Sequence, residues 1–190
     1  MASDSNYKEF VNSISKSGEN RTFLNSDEEH ALDVLIQLFQ QARHTVRIFA
    51  GCLCKHVGNR SEYVVAISEF IEREGTSLYI LLNDFDEEFA KSSNLFKRLA
   101  YYKTLGKSIY IKSTTSRPYR IEDPQKKEVH FTVGDENAYR IETDIEKRTA
   151  ECNFNNPALA KETATFFDSL FNRWDAKEIN LLKLFDDGNK

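Results

Sequence analysis

Apolar residues recur along the chain in two rhythms, and the switch from one to the other marks its elements. After Ser26, the residues Leu32, Leu35, Ile36, Phe39 and Ala42 fall at helical intervals and make one apolar stripe. Ser26-Asp27-Glu28-Glu29 reads as the capping box of that helix: the serine accepts a backbone N–H, Glu29 reaches back, and the acidic turn suits the positive end of the helix dipole. The rhythm then becomes alternation. In TVRIFA, residues Val46, Ile48 and Ala50 alternate with Thr45, Arg47 and Phe49, a short strand after which Gly51 lets the chain turn. CKHVGNR reads as a loop. From Ser61, the series Val64, Ile67, Phe70 and Ile71 marks a second helix, closed by Gly75. SLYILLND is a nearly continuous apolar run, as a strand covered on both faces requires.

A third helix is predicted over 87–105, ended by Gly106, and SIYIKS follows as a strand with Ile109 and Ile111 on one face. Helix, strand, helix, strand in this order makes a parallel sheet with right-handed crossovers the leading architecture of the first half. Residues 114–127, with Pro118 and Pro124, form a loop long enough to suspect function or mobility. VHFTV and AYRIET, joined by Gly134-Asp135-Glu136-Asn137, read as an antiparallel hairpin. Asn156-Pro157 opens a last long helix, on which Leu159, Phe166, Phe167, Leu170, Phe171 and Trp174 fall largely on one face, and the shorter amphipathic EINLLKLF follows. Residues 1–25, rich in Ser, Asn, Lys and Glu, read as a flexible arm around a short segment at 7–14. No internal repeat is present.

Composition narrows this picture. A chain of 190 residues with 40% hydrophobic and 12% aromatic content fits one domain with a substantial core. A formal charge of −4 argues against a protein that coats nucleic acid or anionic membrane with its whole surface. No stretch approaches the roughly 20 apolar residues of a membrane span, and MASDSNYKEF has neither the basic nor the apolar part of a signal peptide, so a cytoplasmic location is expected. The three cysteines, Cys52, Cys54 and Cys152, are an odd number in a sequence without an export signal, which argues against a disulfide framework, and reduced thiols are expected. Cys52 and Cys54, with His56 and Cys152, invite a metal reading, but their spacing departs from that of structural zinc, and small buried residues at a strand end explain them better. No metal or cofactor is expected.

Over roughly residues 26–174 the chain resembles one half of a phospholipase D-like domain, the family built around an HxKxxxxD motif. The order of elements carries the resemblance, together with His130 on a late strand, the hairpin after it, and NPALAKETATFFDSLFNRW, which looks like the family's closing helix. The resemblance implies an α/β fold, a mixed sheet with helices on both faces, in a single domain over 26–175, with an arm at 1–25 and an amphipathic tail at 176–190. In the family, the motif histidine attacks phosphorus while the lysine and a later asparagine hold the phosphate oxygens. Residue by residue, His130 matches the histidine, Thr132 stands at the lysine, and Asn137 stands at the aspartate, with Asp135 two residues early; Asn153 or Asn155 stands in loosely for the asparagine. A neutral hydroxyl cannot give phosphate the charge-assisted hydrogen bonds of an ammonium, and losing one such donor costs about 3 kcal/mol of transition-state stabilisation. A degenerate, non-catalytic member is therefore implied.

Alternation sends His130 and Thr132 to one face of their strand, and Arg140 and Glu142 share a face of the next. If both sets project the same way the four converge: His130 and Glu142 become candidates for acid-base or nucleophilic chemistry, and Thr132, Asp135, Arg140 and Asn153 for ligand contacts. The alternative is that Arg140 and Glu142 form an ion pair and His130 donates to a backbone carbonyl, an arrangement that only stabilises the sheet. Between residues 91 and 127, basic residues that include Arg117 and Arg120 lie among Tyr101, Tyr102, Tyr110 and Tyr119, the composition of a nucleic-acid surface or of a solvated helix face and loop. The expectation is thus a homodimer that binds a phosphate-bearing ligand or a partner protein and does not lie on membranes. Its rivals are a phosphodiesterase or nuclease that uses His130, and a structural subunit that docks through its tail.

Overall fold

The alternation of TVRIFA sends Val46 and Ile48 to one side of a sheet and Phe49 to the other, and that division organises the whole molecule. The structure is a computed structural model that describes residues 2–53, 56–121 and 123–186. Its helices are α1 (Ala2–Ser17), α2 (Glu28–Gln41), α3 (Ser61–Glu72), α4 (Glu87–Ser92), α5 (Asn94–Thr104), α6 (Pro157–Phe171) and α7 (Leu181–Leu184). Its strands are β1 (Phe23–Asn25), β2 (Thr45–Ala50), β3 (Ser77–Leu82), β4 (Ser108–Ser113), β5 (Phe131–Gly134), β6 (Ala138–Asp144), β7 (Thr149–Asn153) and β8 (Lys177–Glu178). They form one mixed sheet in the order β1-β7-β6-β5-β2-β3-β4-β8. The strands β2, β3 and β4 are parallel, and the remaining pairings are antiparallel.

One face carries Val46, Ile48, Leu78, Ile80 and Ile109 and packs on α1, α2, α3, α5 and α7. The other carries Phe49, Leu81, Phe131, Val133, Tyr139 and Ile141 and packs on α6 through Ala160, Ala164, Phe167 and Phe171. Helices therefore cover both faces of a mixed sheet in a single domain, as expected. Arg47, on the α6 side, grips Asp168 with two hydrogen bonds of 2.9 and 3.0 Å and ties β2 to that helix.

Several expectations are corrected. Residues 2–25 are not a loose arm: α1 packs on α2 and buries Val11 and Ile14, Tyr7 stacks on His30 at 3.6 Å, and β1 joins the sheet. Tyr7, Phe10, Val11 and Ile14 are spaced as one helical stripe that the surrounding polar residues conceal. The tail is likewise built in, since β8 pairs with β4 and Leu181 and Leu184 enter the core; residues 187–190 lie outside the described residues. Asp27, not Ser26, caps α2, accepting from the His30 N–H at 2.9 Å. The helix expected over 87–105 breaks at Ser93, whose backbone is extended (φ −72°, ψ 130°) and whose hydroxyl turns to Asn59. Trp174 lies beyond the end of α6 and is 84% exposed. Among the described residues, no helix is long and apolar enough to cross a membrane.

Candidate functional site

Strand alternation sends Phe131 toward α6, and so turns His130 and Thr132 toward α2. On β6 the same logic places Tyr139 and Ile141 in the α6 core and turns Arg140 and Glu142 back to meet them. The register pairs Thr132 with Arg140, and the Glu142 N–H donates to the His130 carbonyl at 2.8 Å. His130, Thr132, Arg140 and Glu142 consequently line one cavity of about 270 Å³, which Gly51 at the carboxyl end of β2, Asp84 beyond β3, and Arg148 help to close. A crevice outside the carboxyl ends of parallel strands is where open α/β sheets commonly hold ligands.

The side chains in this cavity are engaged with one another. His130 Nε2 lies 2.9 Å from Glu128 Oε1, and Nδ1 lies 3.3 Å from Glu142 Oε2, so both ring nitrogens face carboxylates. The second approach is of ion-pair length without hydrogen-bond alignment, which leaves the buried Glu142 Oε2 with no hydrogen-bond partner. Arg140 uses its whole guanidinium: Nη1 donates to Glu142 Oε1 at 3.0 Å, Nε to Asn25 Oδ1 at 3.0 Å, and Nη2 to the Arg148 carbonyl at 3.1 Å. Asn25 adds a bond of its own to that carbonyl at 2.5 Å. Burial pushes the Glu142 carboxyl up, but the His130 ring and the Arg140 and Arg148 guanidiniums outweigh it and hold the group below the ordinary carboxylate range. The ion pair weighed as the alternative on β6 is thus present and coexists with the convergence of the four side chains, whereas the His130 ring faces two carboxylates and not the backbone carbonyl that the alternative gave it.

The remaining candidates lie elsewhere. Asp135 sits in the hairpin turn at a φ of 51°, and its carboxylate accepts the N–H groups of Arg43, His44 and Thr45 at 2.5, 2.8 and 2.8 Å. It pins the corner between α2 and β2, away from the cavity. Asn153 is buried against Asn20 and Thr22 at 2.9 and 3.2 Å, beside β1. Arg120 pairs with Glu151 at 3.2 Å. Arg117 stands closer, 3.3 Å from Glu128 and 3.7 Å from Asp84.

The basic stretch at 91–127 is divided between places. Lys103 and Lys107 donate to the carbonyls of Ile109 and Glu72, whereas Lys112 crosses to the α6 side and donates to the Phe171 carbonyl. Lys97 and Arg98 line a depression between α3 and α5.

Sequence reasoning missed Glu128, Asn83 and Arg148. Glu128 is two residues before His130, so the alternation that placed His130 and Thr132 could have included it. Asn83 directly follows β3, at the carboxyl end of a parallel strand, and donates to Glu128 Oε1 at 2.6 Å. Cys52 lines the cavity and is disulfide-bonded, which corrects the expectation of reduced thiols; Cys152 is free and deeply buried, and burial pushes its thiol up to about 12. Among the described residues, no group of three or more His, Cys, Asp or Glu side chains is placed to hold a metal ion.

Residues 27–180 match the family described as Domain of unknown function (DUF7931). The chain belongs to DUF7931. No curated protein matches this DUF7931 member in sequence. Solved structures do match its fold. One is a phospholipase D family member, Nuc from Salmonella typhimurium, at 13% identity and a TM-score of 0.58, over 85% of this chain and 99% of that one. NucT from Helicobacter pylori matches at 11% identity and a TM-score of 0.57, over 85% of this chain and 100% of that one. TrmBL2, an archaeal chromatin protein whose structure shows a novel mode of DNA binding, matches at 12% identity and a TM-score of 0.56; the DUF7931 chain is covered to 94% and spans 63% of that protein. The fold of this DUF7931 member is therefore phospholipase D-like. Identities this low speak to the fold alone.

Proposed function

We propose that this DUF7931 member is a phospholipase D-like domain that binds a small phosphate-bearing ligand in the His130 cavity without cleaving it, and that it works as a homodimer. One observation carries the non-catalytic reading: both ring nitrogens of His130 face carboxylates, so neither is free to attack phosphorus. Thr132 brings no cation to the place the family gives to lysine, and each of the three Arg140 guanidinium nitrogens already has a partner, in Asn25, Glu142 and the Arg148 carbonyl. That removes the phosphate anchor a catalytic reading would need. Ligand binding is supported by the cavity and by Arg148, a partly exposed cation at its edge that lies 3.6 Å from Glu142. A homodimer is the reading for a single half-module, which needs a second copy to complete the interface shared by the two halves of a phospholipase D-like domain. The division of the basic residues between separate places gives a nucleic-acid role less support.

The test is hydrolysis of bis(p-nitrophenyl) phosphate and of single-stranded DNA, with EDTA present, by the wild-type chain and by His130→Ala. Neither protein is expected to turn over either substrate, and titration with p-nitrophenyl phosphate is expected to show binding that Arg148→Ala weakens. Turnover that survives EDTA and disappears with His130→Ala would establish the rival phosphodiesterase, the reading favoured by the meeting of His130, Thr132, Arg140 and Glu142 in one cavity. Light scattering decides the oligomeric state: a mass of one chain would remove the dimer from the proposal.

A further inference from the structure

Glu128 is held as a bound anion would be held. Its Oε1 lies 2.9 Å from His130 Nε2 and accepts from Asn83 Nδ2 at 2.6 Å, while the Arg117 guanidinium reaches Oε1 and Oε2 at 3.4 and 3.3 Å. These donors come from three separate parts of the chain: the end of β3, the connection between β4 and β5, and the entrance to β5. Asn83 is itself buried, with its Oδ1 left without a hydrogen-bond partner. Two adjacent oxygens on a histidine, an amide and an arginine is an arrangement that serves a carboxylate and a phosphate group equally well.

We propose that Glu128 is a built-in occupant of an oxyanion cradle formed by Asn83, Arg117 and His130, and that the phosphate group of a small-molecule ligand binds there by displacing it. The proposal rests on the reading of the cavity as a phosphate-ligand site, and it assigns that site its anion contacts and its control. His130 belongs to both places, since it also lines the cavity beside Asp84. Glu128 is a quarter exposed and lies at the end of the β4–β5 connection, held by an isolated bridge to Tyr119 and not by a full strand, so its side chain can leave toward solvent. No bond is made or broken in the exchange. Arg117 keeps Asp84 at 3.7 Å as a second acceptor, so it stays at the site when Glu128 departs.

A tethered carboxylate competes with free anion at high effective concentration, and if it fills the cradle about ten times as often as it leaves it, apparent ligand affinity falls by about that factor. The same exchange accounts for His130 having no free nitrogen in the closed arrangement. A purely structural ion pair predicts something else: loss of stability when Glu128 is removed, with no gain in anion binding.

The experiment is calorimetric titration of the full chain with inorganic phosphate at low salt, for wild type, Glu128→Ala, Glu128→Gln and the double variant Glu128→Ala/Arg117→Ala, with thermal melts to confirm folding. Glu128→Ala is expected to bind phosphate about tenfold tighter than wild type, with the gain lost in the double variant. Glu128→Gln keeps the size and hydrogen-bonding oxygen and removes the charge, so it carries the test if Glu128→Ala does not fold, and a gain of binding is expected there too. Equal phosphate affinity in wild type and the folded variants would overturn the cradle while leaving the cavity a ligand site. Absence of binding in every protein, the emptied cradle included, would overturn both. If a Glu128 variant gains phosphodiester hydrolysis along with phosphate affinity, the cradle stands and the non-catalytic reading holds only for the closed arrangement.

Discussion

Arg140 and Glu142, two residues apart on β6, form an ion pair 3.0 Å long with both side chains almost wholly buried. Removing one partner strands the other charge, a change that costs about 3–5 kcal/mol, whereas replacing both by apolar residues of similar size is often close to neutral. Glu142→Gln and Arg140→Met are each expected to lower the urea midpoint strongly, and Arg140→Met/Glu142→Leu to lower it by less than the sum of the single changes. Additive losses would mean that the two side chains act independently.

Asp135 stands in the histidine hairpin yet serves the corner before β2. Asp135→Ala removes three hydrogen bonds to backbone N–H groups, and an expected loss of about 1–3 kcal/mol follows from the groups left unpaired. Asp135→Asn keeps one acceptor and tolerates the positive φ, so it should cost less. Phosphate affinity is expected to stay unchanged in Asp135→Asn, which calorimetry can check.

Acid should loosen the junction between β4 and the end of α6. Asp175 Oδ2 accepts from the hydroxyls of Thr114, Thr115 and Ser116, and Arg173 lies 3.1 Å from Oδ1. The Thr114 hydroxyl above all, then Thr115 and Arg173 against an opposing effect of burial, lowers the Asp175 carboxyl to about 2. A carboxyl depressed on folding stabilises the protein fully above its unfolded value of about 4, and that contribution fades as pH falls from about 4 toward 2. Asp175→Asn is expected to flatten this part of the pH dependence, read as urea midpoints between pH 7 and pH 2.

The cavity rim depends on a glycine. A Cβ on Gly58 would lie 2.1 Å from the Leu53 carbonyl oxygen, a backbone atom that cannot turn aside. Gly58→Ala is expected to cost about 1–3 kcal/mol through overpacking and to weaken ligand binding, because Leu53 and Gly58 both line the cavity. A melting temperature within a degree of wild type would show that this loop has room to move.

The strands β2, β3 and β4 were legible because each is a compact run of β-forming residues closed by a helix start or a turn signal, and the hairpin was legible because alternation survives on both of its sides. Alternation put His130 with Thr132 and Arg140 with Glu142, and the pairing of Thr132 with Arg140 across the ladder is what brings the two sets to one side. β7 escaped because TAECN has small and polar residues where a strand advertises branched ones, with Ala150 and Cys152 on the face that α2 covers. β1 escaped for the same reason: three residues become a strand only when β7 is there to pair with. Trp174 was misplaced because helical phase was carried three residues past the end of α6. Asp135 read as a ligand contact because it is near His130 in sequence, and only the long-range approach of residues 43–45 reveals its occupation.

The pairing of β1 with β7 also sets a timetable. Leu24 meets Glu151 across the ladder, so the first strand to be synthesised waits for one of the last. Until residues 149–153 have emerged, β1 has no strand to pair with, so Asn25 is not held against the Arg148 carbonyl and Arg140, and the guanidinium beside Glu142 lacks one of its anchors. The cavity therefore takes its finished form only on a chain that reaches residue 153. A chain that stops short of it carries His130 and Thr132 without the strands that buttress Arg140 beside them.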